Sequence, residues 1–235
     1  MDLIDNEIFD IKFFNGQIYL LKKSIITSSQ IESSIKSIKY SGEKLQKDTV
    51  VENSKLPPFI AAFYKYIFEN NAIPTERDLI SYYLDNYYDL KDENTCSVKK
   101  TLSMYAQNQL LSITGIKARL LRSYPSLIRD FHFYQLCTES KLFDKVVYSL
   151  NVDYYDGYDL IIEYGGKKFA VALFIETVRG NLYKSKKLYR HNPVNSYEEV
   201  NLSINKSDCQ LVGAFYLYKK DHVIKLLEEL KKKCV

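Results

Sequence analysis

The sequence predicts a mixed α/β fold in which a sheet flanked by helices occupies the second half of the chain. Two strand-like runs, residues 156–164 and 167–177, are joined by Gly165-Gly166. A two-glycine connection favours a tight hairpin, because both central residues of the preferred turn have positive φ. A helix-like stretch precedes this hairpin, and a basic segment, strand-like runs and a closing helix follow it. Strands interleaved with helices in this way indicate a sheet covered by helices.

The composition is that of an ordinary globular protein. Of 235 residues, 46% are hydrophobic and 26% are charged, which excludes a disordered chain and permits a sizeable core. The net charge of +4 is compatible with a nucleic-acid partner without requiring one.

The cysteines and the amino terminus predict the cellular compartment. The four cysteines lie far apart and form no C-x-x-C pair, which argues against a disulfide framework or a zinc site. The acidic start lacks the features of a signal peptide, and no apolar run is long enough to span a bilayer. We therefore expect a cytoplasmic protein without a membrane segment.

Residues 1–115 predict an N-terminal hairpin, a polar linker and a small helical module. Asn15-Gly16 between apolar runs favours a hairpin over residues 8–21. The polar stretch 22–55 contains one predicted helix. Three further helices are expected, the second of them opened by Thr75 and Asp78 as a capping box. In order, the four predicted helices cover residues 28–38, run from Pro57 to Asn70, start at Thr75, and run from Thr95 or Ser97 to Leu111.

The helical module has the short inter-helix turn of a helix-turn-helix, but its charge argues against DNA reading. The would-be recognition helix carries one cation, Arg77, and four acids, Glu76, Asp78, Asp85 and Asp89. Such a helix repels phosphate. A packing or partner-binding role is the favoured interpretation.

Three cations, Lys117, Arg119 and Arg122, precede Tyr124-Pro125. They do not share one helical face. They are interpreted either as a solvated surface or as phosphate contacts leading to the second half of the chain.

Residues 116–235 predict the α/β core. A helix is expected over residues 124–139 and a strand over 143–150, ahead of the glycine hairpin. Strands are then expected over 198–204 and 210–218, and the last helix is capped by Asp221. Its carboxyl end carries Lys231, Lys232 and Lys233, which suit the negative end of a helix dipole.

The hairpin register predicts an acidic surface. If Tyr164 pairs with Lys167, Asp159 lies opposite Ala172, and alternation then puts Asp159, Ala172, Phe174 and Glu176 on one side of the sheet. A carboxylate entering an apolar strand costs free energy unless it meets a metal or hydrogen-bond donors. The alternative is a turn at Asp156-Gly157 that Asp159 caps at the surface.

The order helix, three strands, basic connection, strand resembles the core of the PD-(D/E)XK nuclease superfamily over about residues 120–235. The resemblance implies a restriction-endonuclease-like fold. That family uses an Asp at the start of the second core strand, an acid-x-Lys motif on the third, and often a Glu on the first helix. Asp159 and Glu139 match the first and last of these features. Ala172-Leu173-Phe174 stands in place of the acid-x-Lys motif, and the nearest substitute acid is Glu176.

The resemblance implies Mg²⁺-dependent phosphodiester hydrolysis in restriction, phage defence or DNA mobility. Asp159 and Glu176 would hold Mg²⁺, with Glu139 as a further catalytic candidate, and Arg179 or Lys184 would stabilise charge on the phosphate. DNA and a specificity-giving partner protein are the expected partners. The alternative is a catalytically inactive subunit that binds nucleic acid or a protein. Ala172 and Phe174 favour that alternative.

The segment after the hairpin is the strongest nucleic-acid signal in the sequence. Tyrosines interleave its cations and are suited to packing against sugar or base. The alternative is a charged connection over the sheet edge. The candidate nucleic-acid-binding residues are Arg179, Lys184, Lys186, Lys187 and Arg190.

Overall fold

The protein is a mixed α/β structure. The computed structural model describes residues 8–14, 17–22, 26–42, 45–102, 105, 109–148, 152–176 and 197–234. The helices are α1 (Ser28–Ile35), α2 (Thr49–Asn53), α3 (Phe59–Asn70), α4 (Glu76–Tyr87), α5 (Ile113–Ser140) and α6 (Lys220–Cys234). The strands are β1 (Ile8–Phe14), β2 (Gln17–Lys22), β3 (Tyr88–Leu90), β4 (Thr95–Val98), β5 (Leu111–Ser112), β6 (Lys145–Val147), β7 (Leu160–Tyr164), β8 (Lys167–Glu176), β9 (Glu198–Asn205), β10 (Gln210–Val212) and β11 (Phe215–Leu217).

The largest sheet has the strand order β6-β7-β8-β9. Its first three strands form an antiparallel meander, and β9 pairs in parallel with β8. The predicted hairpin register is confirmed from the pair Tyr164–Lys167 to the pair Leu160–Val171. The predicted N-terminal hairpin is also confirmed, since β1 and β2 pair antiparallel in a separate sheet.

Helix α5 joins the two halves of the chain. It is 28 residues long and passes through Pro125, so the prediction of a helix beginning there is wrong. An internal proline loses one backbone hydrogen bond, but fully buried side chains on both sides of it, such as Ile116 and Ile128, hold the helix in place. The predicted boundary at residues 115/116 falls in the first turn of α5. One hydrophobic cluster contains buried residues from both sides of that boundary.

Two helix starts are fixed by capping boxes. Thr75 accepts from the Asp78 N–H while Asp78 accepts from the Thr75 N–H, as predicted for α4. Thr27 and Gln30 form the same reciprocal pair at the start of α1. Each box satisfies amide groups that the first turn of a helix leaves unpaired.

The predicted helix ending at Leu111 is wrong. Residues 95–98 instead form β4, which pairs with β3 and β5. Asp92 Oδ1 accepts hydrogen bonds from the Asn94 and Thr95 N–H groups at 2.7 and 2.8 Å. This turn redirects the chain into a hairpin before a helix can start.

The predicted single strand over residues 210–218 is also wrong. Strands β10 and β11 form a hairpin that turns at Gly213, whose φ is +58°. Glycine is required there for space as well as conformation, because a Cβ atom would lie 2.8 Å from Ile35 O.

Within the described residues, no helix combines the length and apolar character needed to cross a lipid bilayer.

Candidate functional site

Asp159 lies at a bend that leads into β7. Its N–H donates to Val171 O at 2.8 Å, although Val171 already pairs with Leu160. Two consecutive residues therefore face one partner, the arrangement of a β-bulge, which interrupts the alternation of side chains. Tyr158 accordingly packs with Ala170 and Ala172. The predicted surface shared by Asp159 and Ala172 is therefore wrong, because the bend turns Asp159 toward the opposite side of the sheet.

The Asp159 carboxylate is held inside the protein by a backbone donor. The residue is only 8% exposed, and its Oδ2 accepts from the Leu173 N–H at 2.7 Å. Leu173 and Leu160 belong to the main hydrophobic cluster. The alternative in which Asp159 caps a turn at the surface is therefore also wrong, because the side chain satisfies a buried amide of β8.

Two stacked tyrosines lie close to this carboxylate. The Tyr64 and Tyr148 rings are 4.1 Å apart at 11°, and the Tyr148 hydroxyl donates to Asp153 Oδ2 at 2.8 Å. Burial, followed by the charge of Asp153 and a smaller contribution from Asp159, raises the pKa of both tyrosines well above its ordinary value. Both phenols stay protonated, which makes them donors and not bases.

Arg129 supplies positive charge to the same interior. Its Nε lies 3.4 Å from Asp130 Oδ1, and its guanidinium carbon lies 5.6 Å from the Tyr218 ring centroid. Burial lowers the pKa of Arg129, but Asp130, Tyr218 and Asp159 together outweigh burial and raise it overall. A charged arginine beside two carboxylates lowers the free-energy cost of burying them.

Sequence reasoning missed Arg129 and Asp153. A usable signal for Arg129 was present, since Arg129-Asp130 interrupts an apolar stretch of α5 between Ile128 and Phe131. Adjacent opposite charges inside a buried helical face indicate an internal ion pair. Asp153 gave no such signal, because it lies in a π-helical turn, residues Val152–Asp156, in the connection between the strand predicted over 143–150 and the strand-like run that starts at residue 156.

Glu139 binds the first turn of α1. Its two carboxylate oxygens accept from the N–H and the hydroxyl of Ser28, the former at 2.7 Å. A carboxylate at a helix amino terminus is favoured by the unpaired amides and the helix dipole. The structure thus brings Glu139 to Ser28 and gives it a capping contact.

Glu176 is the last residue of β8 and is exposed. Its backbone pairs with Asn205 of β9. By alternation along β8 it follows Ala172 and Phe174, whereas Asp159 points to the other side. The five predicted nucleic-acid-binding cations at positions 179–190 lie outside the described residues.

The residues do not fit the Mg²⁺ site that the resemblance implies. Mg²⁺ requires several oxygen ligands converging on one point, but Asp159 Oδ2 accepts from the Leu173 N–H, and Glu176 lies on the other side of the sheet. Across the part of the chain that the structure describes, no three His, Cys, Asp or Glu side chains are grouped to hold a metal ion.

Two of the three cations near the start of α5 have structural contacts. Arg119 Nη1 donates to Ser54 O at 2.8 Å and also to Val51 O, so it binds carbonyls at the carboxyl end of α2. Arg122 forms an ion pair with Glu52. Neither predicted alternative, phosphate binding or a solvated face, describes these two arginines.

A buried histidine links three elements. His132 Nε2 of α5 lies 3.0 Å from Glu32 Oε1 of α1, and Gln210 Nε2 of β10 donates to the same oxygen at 2.8 Å. Burial lowers the pKa of His132, and Glu32 and Glu139 oppose that effect only in part. The imidazole is therefore neutral near pH 7.

Comparisons of the chain with protein-family models, with curated proteins and with solved structures find no match.

Proposed function

We propose that the chain is a nucleic-acid-binding protein with a nuclease-like core that does not hydrolyse phosphodiesters through Asp159. The order of elements supports the nuclease-like part of this proposal. Helix α5 is followed by the antiparallel strands β6, β7 and β8, and β9 then lies parallel beside β8. This order is similar to the helix, three-strand meander and fourth strand of the PD-(D/E)XK core.

One observation carries the non-hydrolytic part of the proposal, namely the hydrogen bond from the Leu173 N–H to Asp159 Oδ2. An Asp that serves a metal directs its carboxylate at the ion together with a second acid. Here the carboxylate completes the pairing of β7 with β8, and the motif position on β8 holds Ala172 and Phe174. The inactive, binding alternative is therefore favoured over Mg²⁺-dependent cleavage.

Support for nucleic acid as the partner comes from charge. The chain has a net charge of +4, and the sequence concentrates cations and tyrosines between positions 179 and 190. Binding through such residues releases counterions and weakens as salt rises. The proposal includes a protein partner that supplies specificity, and a setting in restriction, phage defence or DNA mobility.

A plasmid assay tests the catalytic half of the proposal. Purified protein is incubated with supercoiled plasmid and Mg²⁺ or Mn²⁺, beside Glu176→Gln, a substitution at an exposed position that leaves the core intact. We expect no metal-dependent nicking from either protein. Metal-dependent cutting that Glu176→Gln abolishes would overturn the proposal and restore the hydrolytic interpretation.

A binding assay tests the other half. We expect retardation of labelled DNA that weakens with salt and is reduced in the double variant Arg179→Ala, Lys184→Ala. The matched control is Lys91→Ala, which removes an exposed cation in the β3–β4 connection. No retardation at low salt would overturn nucleic-acid binding and leave a protein partner as the function.

A further inference from the structure

A cavity of about 300 Å³ lies beside the first two turns of α1. Its other walls come from α5, β10 and the segment that joins β11 to α6. This volume is at the lower end of the range for small-molecule sites, which begins at about 300 Å³, so the cavity suits a small metabolite. We call it the α1 cavity, and the lining residues that concern its chemistry are Ser29, Glu32, Leu136, Gln210, Lys219 and Lys220.

Glu32 supplies a fixed carboxylate to the α1 cavity. Its Oε1 lies 3.0 Å from His132 Nε2 and accepts from Gln210 Nε2 at 2.8 Å. Among the described residues, its Oε2 has no hydrogen-bond partner, and the side chain is 34% exposed. Because two contacts at one oxygen already hold the side chain, the other oxygen can accept from a ligand at little further cost in side-chain freedom.

Lys219 and Lys220 supply positive charge to the same cavity. Neither forms an ion pair with any residue in the described ranges. The N–H of Ser29, in the first turn of α1, likewise has no hydrogen-bond partner in that part of the chain, and it lies at the positive end of the helix dipole. Ser29 and Lys220 are exposed, so an anionic group can reach this side of the cavity from solvent.

The charges around the α1 cavity balance. Its lining contains two cations, Lys219 and Lys220, and one anion, Glu32. A second anion, Glu139, adjoins the lining because it binds Ser28. A ligand of high net charge is therefore disfavoured, whereas a ligand with separate positive and negative ends complements both sides of the cavity.

We propose that the α1 cavity binds a free α-amino acid with an aliphatic side chain. Its ammonium group donates to Glu32 Oε2, and its carboxylate is held by Lys219 and Lys220. Leu136, which is 5% exposed and belongs to the main cluster, gives the aliphatic side chain an apolar contact. A simple anion would leave the carboxylate of Glu32 without a donor, and a simple amine would leave the lysines without an acceptor. This inference goes beyond the proposed function and does not depend on it.

Thermal unfolding and calorimetric titration of the full chain test the inference, with L-leucine as the probe. Two analogues of similar size isolate its charged ends, since L-leucinamide lacks the carboxylate and 4-methylpentanoate lacks the ammonium group. We expect saturating L-leucine to raise the melting temperature by about 3 °C or more. Each analogue should bind at least about tenfold more weakly than L-leucine.

A substitution of Glu32 tests the ammonium contact. Glu32→Gln removes the charge but keeps an acceptor oxygen for His132 and Gln210, so the wall of the cavity stays in place. The affinity for L-leucine should fall by about tenfold, while the affinity for 4-methylpentanoate should not fall. A purely structural role of Glu32 would weaken both ligands alike. The matched control is Glu93→Gln, at an exposed position in the β3–β4 connection.

A double substitution tests the carboxylate contact. Lys219→Met with Lys220→Met removes both charges and keeps two long side chains. The affinity for L-leucine should fall by at least about tenfold, while L-leucinamide should bind the double variant at least as tightly as it binds the unmodified protein. Lys91→Met, which removes an exposed cation in the β3–β4 connection, is the control and should leave L-leucine binding unchanged.

The outcomes separate this inference from the proposed function. Each shift is measured against the melting temperature of the same variant without ligand, so a change in stability does not hide a change in binding. No rise with L-leucine overturns the inference, and so does an equal rise with inorganic phosphate, because the cavity would then recognise an anion alone. If L-leucine binds but DNA is not retarded, only the proposed function fails. If DNA is retarded and L-leucine does not bind, only the inference fails.

Discussion

Asp159 Oδ2 accepts a hydrogen bond from the Leu173 N–H at 2.7 Å, so a side chain replaces a backbone carbonyl where β7 meets β8. The same bend places Tyr158 against Ala170 and Ala172 on the opposite sheet face. One local irregularity thus decides both which side of the sheet the carboxylate occupies and what chemistry it supports.

Substitution of Asp159 should therefore affect stability more than any activity. Asp159→Ala removes the acceptor of a buried amide and a negative charge near Arg129, which we expect to cost about 3 kcal/mol of unfolding free energy. Asp159→Asn keeps an acceptor oxygen and should cost less. Urea unfolding of both variants measures the difference, and an alanine variant as stable as the unmodified protein would contradict this account.

Glu139 should act as a helix cap. Glu139→Ala leaves the Ser28 N–H and hydroxyl without their carboxylate, and we expect a loss of about 1 kcal/mol. Glu228→Ala, at an exposed position of α6, is the control and should change stability by less than about 0.5 kcal/mol. Equal effects of the two substitutions in chemical denaturation would show that the Ser28 contact does not stabilise α1.

His132 should make the protein sensitive to acid. Burial lowers the pKa of His132 in the folded state, so unfolding takes up a proton once the pH falls below the ordinary histidine pKa of about 6.5. The stabilising contribution is complete above that pH and is lost as the pH falls toward the folded-state pKa. The unfolding free energy of His132→Gln should depend less steeply on pH between about 6.5 and 5.

A second histidine provides the comparison for that experiment. Burial also lowers the pKa of His222, whose Nδ1 accepts from the Lys219 N–H at 3.1 Å. His222 therefore also makes the folded protein less stable as the pH falls. His222→Gln should remove a separate part of the dependence of the unfolding free energy on pH. If His132→Gln follows the pH profile of the unmodified protein, the buried contact with Glu32 does not control acid stability.

Gly213 and Gly166 give a matched pair of turn glycines. Both have positive φ, +58° and +75°, but a Cβ atom would lie 2.8 Å from Ile35 O at Gly213 and would meet nothing within 4 Å at Gly166. Each alanine substitution should cost about 1 kcal/mol for its backbone conformation. Gly213→Ala should cost more because of the clash, which thermal unfolding of the two variants compares. Equal melting temperatures would mean that the hairpin turn moves away from α1 at no cost.

The rules for turns and helix caps predicted those parts of the fold that depend on a few consecutive residues. Gly165-Gly166 specified the register of β7 with β8, and Thr75 with Asp78 specified the start of α4. These features follow from turn geometry and capping, which involve only a few consecutive residues.

Contacts between distant residues explain what the sequence did not show. Asp159 leaves the predicted face because a donor from Leu173, on the next strand, binds its carboxylate. Arg119 binds Ser54, far away in the sequence, instead of a phosphate. Each outcome depends on a partner brought close by the tertiary fold, which no window of sequence contains.

The length of α5 affects how the protein folds during synthesis. Side chains before and after residue 115 share one hydrophobic cluster, and α5 contacts α1, α2, α3 and α4 as well as β6, β11 and α6. The early helices therefore lack the α5 side of their core while the ribosome is still translating the codons of α5. Folding during synthesis must wait for this segment to emerge, and an expression plasmid that stops short of it should yield aggregated polypeptide.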